Sequence, residues 1–279
     1  MNIKLGVSPL SWFNSDFPDV GKSISLEQCL SEASLIGYHG VELENPMRIH
    51  TLSTLLHLRS LDLVGGWHDL SFFTASYEQE LERFKKHLDL LHSLSSHIAI
   101  ICETSHSIHR LEVPLKERPQ LNESQWDFLC DCLNKLHLYA KSQGFQTAYH
   151  HHLGTVVQSA EDIQTLMEGT EDLGLLLDTG HLDVAGAPVL ATFEEQFSRL
   201  SHVHLKNIRR PIIKRMKEAN ASFLDIVLSG GFTVPGDETV PSIEFSPIID
   251  FLVSRSYKGW IVVEAEQDPH LANPFVYAQ

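Results

Sequence analysis

The sequence predicts an α/β protein folded as a single (β/α)8 barrel over residues 1–279, and three observations carry that expectation. A unit of amphipathic helix, glycine and β-rich run recurs along the chain. Eight such β-rich runs can be counted, which is the barrel number. The later runs stay apolar until their last residues, which are histidines and carboxylates, and in a parallel barrel the strand ends are where an active site is built.

The recurring unit is plainest in "LIGYHGVELE" (Leu35–Glu44), "SQGFQTAYHH" (Ser142–His151) and "YKGWIVVEAE" (Tyr257–Glu266). Gly37, Gly144 and Gly259 stand where a residue at positive φ would close the preceding helix. Apolar residues at helical spacing mark the core faces: Leu26, Cys29, Leu30 and Ala33; Leu81, Phe84, Leu88 and Leu91; Trp126, Leu129, Leu133 and Leu136. Strands are expected at Leu5–Ser8, Gly40–Leu43, Leu63–Trp67, Ile98–Glu103, Gln146–His150, Leu173–Asp178, Val203–Lys206 and Trp260–Ala265. Alternation with helices implies parallel strands and right-handed crossovers, for which a doubly wound open sheet is the topological rival. Neither a Gly-x-Gly-x-x-Gly motif nor a P-loop follows any strand. Arg209–Ile243, with Pro211, Pro235 and Pro241, is too long for an ordinary connection and reads as a lid or a subunit contact.

Composition excludes several functions. A formal net charge of −15 opposes binding to a phosphate backbone, so no nucleic-acid partner is expected. No apolar run is long enough to cross a bilayer, and Met1–Pro9 reads as a short strand without signal-peptide features. Cys29, Cys102, Cys130 and Cys132 form no Cys-x-x-Cys pair, which fits reduced thiols and a cytoplasmic location.

The 17 histidines are not evenly spread. Strand five ends "AYHHH" (Ala148–His152), strand six "LLLDTGH" (Leu175–His181), strand seven "HVHLK" (His202–Lys206) and strand eight "VVEAE" (Val262–Glu266). Any one of these would be an ordinary buried histidine or cap carboxylate. Converging on one barrel mouth, they offer a divalent cation a mixed nitrogen and oxygen shell. Alternation puts His202, His204 and Lys206 on one face, Glu264 and Glu266 on one face, and separates His150 and His152 from His151. Asp178 ends a leucine run, where an unpaired carboxylate would be costly, and His181 lies in the loop that follows. Glu42, Glu44, Trp67, His68, Asp69 and Glu103 add polar groups at earlier strand ends.

These segments resemble the xylose isomerase-like TIM barrels, and within them the inosose dehydratases. The resemblance runs almost end to end through "GVSPLSWFNSDFPDVG" (Gly6–Gly21), "CETSHSIH" (Cys102–His109), "PLKERPQLNESQW" (Pro114–Trp126), "AYHHHLGTVV" (Ala148–Val157), "LLLDTGHLDVAG" (Leu175–Gly186), "GGFTVPGD" (Gly230–Asp237) and "VVEAEQDP" (Val262–Pro269). It implies metal ligands at His150, Asp178, His204 and Glu264, a manganese or cobalt ion, and an association with glutathione. It also implies a small polyol ketone, 2-keto-myo-inositol, as substrate, with homo-oligomers an option for barrels of this kind. Two positions depart from the pattern: His150 stands where many relatives carry Glu, and Asn207 where Asp is more usual.

The expected reaction is loss of water from the keto-polyol. The metal would polarise the ketone, Glu264 or an adjacent group would take the α-proton, and Lys206 or His181 would steady the enolate or protonate the leaving hydroxide. Glu42, His68 and His152 are the expected substrate contacts. A keto-sugar epimerase on the same barrel is the alternative, although a pair of carboxylate bases is lost with His150. A metal-dependent endonuclease is opposed by the negative charge, and a non-catalytic sugar-binding barrel would have no use for ligand sets at four successive strand ends.

Overall fold

The computed structural model describes residues 3–14, 16–44, 49–237 and 239–279. Its strands are β1 (Lys4–Val7), β2 (Gly40–Leu43), β3 (Asp62–Leu70), β4 (Ile98–Glu103), β5 (Gln146–His150), β6 (Leu175–Asp178), β7 (Leu200–Leu205), β8 (Asn207–Ile208), β9 (Phe232–Thr233) and β10 (Trp260–Val263). Eight of them close a parallel barrel in the order β1-β10-β7-β6-β5-β4-β3-β2, which removes the open-sheet rival. β8 and β9 form a separate antiparallel pair.

The helical stripes land where their spacing requires. Cys29, Leu30 and Ala33, Phe84, Leu88 and Leu91, and Leu129, Leu133 and Leu136 are buried between the helices and the barrel, in one continuous core. Capping boxes start the helices Tyr77–Ser93, Glu123–Ser142 and Ala160–Gly169. Gly37 and Gly144 take the left-handed conformation expected of them, but Gly259 does not. Ser256 supplies the positive φ after the helix Ser246–Ser254, and Gly259 is small for a different reason: a Cβ there would lie 2.1 Å from the Tyr257 hydroxyl and 2.9 Å from the Ser201 carbonyl.

Several strand ends differ from the sequence reading. β3 runs on to Leu70, β6 begins at Leu175, β7 begins at Leu200 and stops at Leu205, and β10 stops at Val263, which leaves Lys206, Glu264 and Glu266 just beyond their strands. Inside the barrel, Ile100, Ala148 and Leu176 pack with Trp67 and Ile98 into a small apolar plug. The alternation that puts them inside also aims the next inward residues of the same strands, His150 and Asp178, at the space above the plug.

The Arg209–Ile243 segment folds as helices Arg210–Glu218 and Phe223–Leu228 and the strand β9. Arg209 ties it down through Asp237 at 2.7 Å and the carbonyl of Gly230 at 2.8 Å. Phe223 and Phe232 pack over His181, with ring centroids 5.9 Å and 6.2 Å away. The segment therefore covers His181 on one side of the barrel mouth.

Candidate metal centre

His150 ends β5, and its Nδ1 is hydrogen-bonded to the carbonyl of His151, which turns Nε2 toward the barrel axis. Asp178 ends β6 and caps the following helix: Oδ1 accepts from the His181 amide at 2.8 Å, while buried Oδ2 takes no hydrogen bond. His204 lies on β7 beside Asp178, its Nε2 held by Glu42 at 2.9 Å. Its other nitrogen, Nδ1, has no hydrogen bond and sits 3.3 Å from Glu264 and 3.7 Å from Asp178. His150, Asp178, His204 and Glu264 each bring one ligand atom within 4.8 Å of the others, and all four are buried.

Buried polar atoms are normally hydrogen-bonded, yet Asp178 Oδ2 and His204 Nδ1 make only ion-pair contacts of 3.3 Å or longer, which leaves both open to a further partner. A divalent cation bound by two imidazoles and two carboxylates fits them. Burial and the neighbouring His204 push His150 down to about 3, so it is neutral and able to ligate. Burial also pushes Glu42 up, but His204 and His202 outweigh it and hold that carboxylate at about 2. An ionised Glu42 accepting from Nε2 orients His204 with Nδ1 inward.

A second group lies directly behind. Lys206, wholly buried, is 2.6 Å from Glu264 Oε1, 2.9 Å from Glu266 Oε2 and 3.0 Å from His181 Nε2. Burial opposes its charge, yet Asp178, Glu264 and Glu266 hold its pKa above the ordinary lysine value. The stem reaches this place only because Gly180 has no side chain: a Cβ there would come within 2.7 Å of Lys206 Cγ. That close approach explains the glycine in "LDTGH".

The cleft above is lined by Glu42, His150, His152, His204, Glu264 and Glu266 in its depth and by Trp67 and Ile100 on one wall. Asp16 and Arg110 line its mouth. Arg110 pairs with Asp16 at 2.6 Å and with Asp69 at 3.0 Å, and Asp69 also takes the Trp67 indole N–H at 2.8 Å.

Of the residues expected to touch substrate, Glu42 and His152 line the cleft. His68 does not. Strand alternation sends Trp67 inward and His68 outward, where its Nε2 meets Glu80 at 2.8 Å beneath the helix Tyr77–Ser93. His68→Ala is therefore expected to lower stability by about 1–3 kcal/mol through the lost buried hydrogen bond. Its kcat should match that of the unaltered protein; thermal melts and steady-state kinetics read the two effects separately. Lys206 and His181, expected among the catalytic groups, are fully buried and do not line the cleft: Lys206 touches Glu264 and Glu266, and His181 touches Lys206. His151 is set apart from His150 as alternation requires, its Nε2 accepting from the Asp178 amide at 3.1 Å. Asp16 and Arg110 were not singled out, because nothing local distinguishes a loop Asp or Arg that meets a partner 94 residues away from an ordinary surface charge.

Comparisons with known proteins identify the family and the fold. Residues 30–278 match the family of xylose isomerase-like TIM barrels. An inosose dehydratase of Bacillus cereus (strain AH820) is 43% identical, the match covering 99% of this chain and 94% of the relative. One from Clostridium perfringens (strain 13 / Type A) is 40% identical, again covering 99% and 94%. Among solved structures, the IOLI protein with a bound zinc atom superimposes with a TM-score of 0.71 at 14% identity, covering 99% of this chain and 95% of that one. An L-ribulose 3-epimerase does so with a TM-score of 0.66 at 16% identity, covering 100% and 88%; at such identities the likeness is one of fold.

Proposed function

The chain belongs to the xylose isomerase-like TIM barrel family and groups with its inosose dehydratases, and on that premise we propose that it removes water from 2-keto-myo-inositol (scyllo-inosose) to give a trihydroxycyclohexane-dione. It is a hydro-lyase of inositol catabolism in this reading. The observation that carries it is the convergence of His150, Asp178, His204 and Glu264, two of whose ligand atoms make no hydrogen bond, at the floor of a polar cleft. When bound there, a divalent ion, manganese or cobalt, supplies Lewis-acid polarisation of the ketone.

The remaining chemistry falls to the cleft's own side chains. Glu264 faces Lys206 with one oxygen and the ligand set with the other, so it is a poor base. Glu266, the adjacent cleft carboxylate, gives Oε2 to Lys206, and no other described residue donates to its Oε1. It is the group placed to take the α-proton. In scyllo-inosose every hydroxyl is equatorial, so the α-hydrogen and the neighbouring β-hydroxyl lie on the same face of the ring. One carboxyl can therefore take the proton and return it to the departing hydroxyl, and water leaves with no second base. His150 at the strand-five position suits this one-sided reaction, since an imidazole ligand there offers no carboxylate to the opposite face. His152, Arg110 and Asp16 are positioned to hold the other ring hydroxyls.

Metal-stripped protein incubated with 2-keto-myo-inositol should be inert. Adding manganese(II) or cobalt(II) should yield a product lighter by one water, with the ultraviolet absorbance of a dione. A product of unchanged mass would replace dehydration by epimerisation.

A further inference from the structure

We infer that the Lys206 ammonium is a built-in second cation, filling a site that His181, Glu264 and Glu266 would otherwise offer to a second divalent ion, and that it holds this centre to one metal. The inference rests on the proposed ion at His150, Asp178, His204 and Glu264. Three features of the arrangement support it.

The first is geometric. His181, Glu264 and Glu266 are all buried and bring ligand atoms within 4.8 Å of one another, the same spacing as the four-residue set beside them. Lys206 Nζ lies among them at 2.6–3.0 Å, and its three protons are matched by His181 Nε2, Glu264 Oε1 and Glu266 Oε2. Metal bonds to such atoms are about 2.0–2.2 Å long, so a contraction of less than about 1 Å per donor would seat an ion.

The second is the posture of Glu264. Its Oε1 faces Lys206 and its Oε2 faces His204 Nδ1, so one carboxylate spans the two positions as a bridging ligand spans two ions. Asp178 Oδ2 is similarly shared, 3.5 Å from Lys206 Nζ and 3.7 Å from His204 Nδ1.

The third is charge. Asp178, Glu264 and Glu266, when ionised, are balanced by one divalent ion and one ammonium. A neutral residue at 206 leaves one buried negative charge uncompensated, and a second cation is the direct remedy. Gly180 belongs to the device, because any side chain there would displace the lysine stem.

The test compares the unaltered protein, Lys206→Ala and Lys206→Met, each stripped and then titrated with manganese(II), with bound metal counted by elemental analysis and electron paramagnetic resonance. The unaltered protein should hold one equivalent. Lys206→Ala, which opens the space, should hold two, with the exchange-coupled spectrum of carboxylate-bridged ions, and Lys206→Met, which fills the space with an apolar stem, should hold one. Adding Glu266→Gln to Lys206→Ala should return the count to one. A Lys206→Ala protein soluble only with manganese, recovered at two equivalents, supports the inference equally. One equivalent in Lys206→Ala, or insolubility that manganese does not relieve, overturns it. No metal in the unaltered protein would instead sink the metal centre itself.

Discussion

Asp178→Asn is expected to weaken manganese(II) binding by more than about 100-fold, beyond what losing a partner of a ligand usually costs, and to lower turnover by at least about 10³-fold. The substitution is chosen because the two carboxylate oxygens have different work. Oδ1 caps the helix Thr179–Ala185 through the His181 amide, and an asparagine oxygen can keep that bond. Oδ2 has no hydrogen-bond partner and faces His204 and Lys206 across the ligand set, where an amide brings no charge. The variant should therefore fold and melt near the metal-free parent while losing the stabilisation that metal confers on the parent. Calorimetric titration with manganese(II) and thermal melts with and without it read both effects. Parental affinity in Asp178→Asn would remove that residue from the metal set.

Lys206→Met is expected to lower kcat by about 10³-fold, the scale of losing one preorganised charge in an active site, while KM and the single bound metal are retained. Methionine keeps the length of the stem over Gly180 but takes the positive charge from Glu264 and Glu266. Since Lys206 lies behind the cleft wall, it acts by holding Glu266 and compensating charge, which is felt in turnover more than in substrate binding. Breaking a buried ion pair from one side costs about 3–5 kcal/mol, so the metal-free variant should melt markedly lower. A variant that melts lower but turns over at the parental rate would reduce Lys206 to a structural role.

Much of the fold was legible because it depends on local periodicity. The stripes through Leu30, Phe84 and Leu133 and the apolar strand interiors are set by residues three, four or two positions apart, whatever the rest of the chain does. Where the reading slipped, a local signal had two physical meanings. Gly259 looked like a helix-closing glycine, but Ser256 carries that φ and the glycine answers to Tyr257 and Ser201. His68 looked like a strand-end substrate contact, but the face it takes was decided by the length of β3 and by Glu80 on the next helix.

The sequence by itself determined the barrel and its eight strands, and the strand ends where ligands collect, because each follows from the order of residue types along a short stretch of chain. Only the tertiary structure decided which of those ligands share a point in space. Lys206 meeting Glu266, Glu42 orienting His204 and Arg110 reaching Asp16 span separations of 60, 162 and 94 residues. Bonds of that kind carry no periodicity, because they join residues that only the closed barrel brings together.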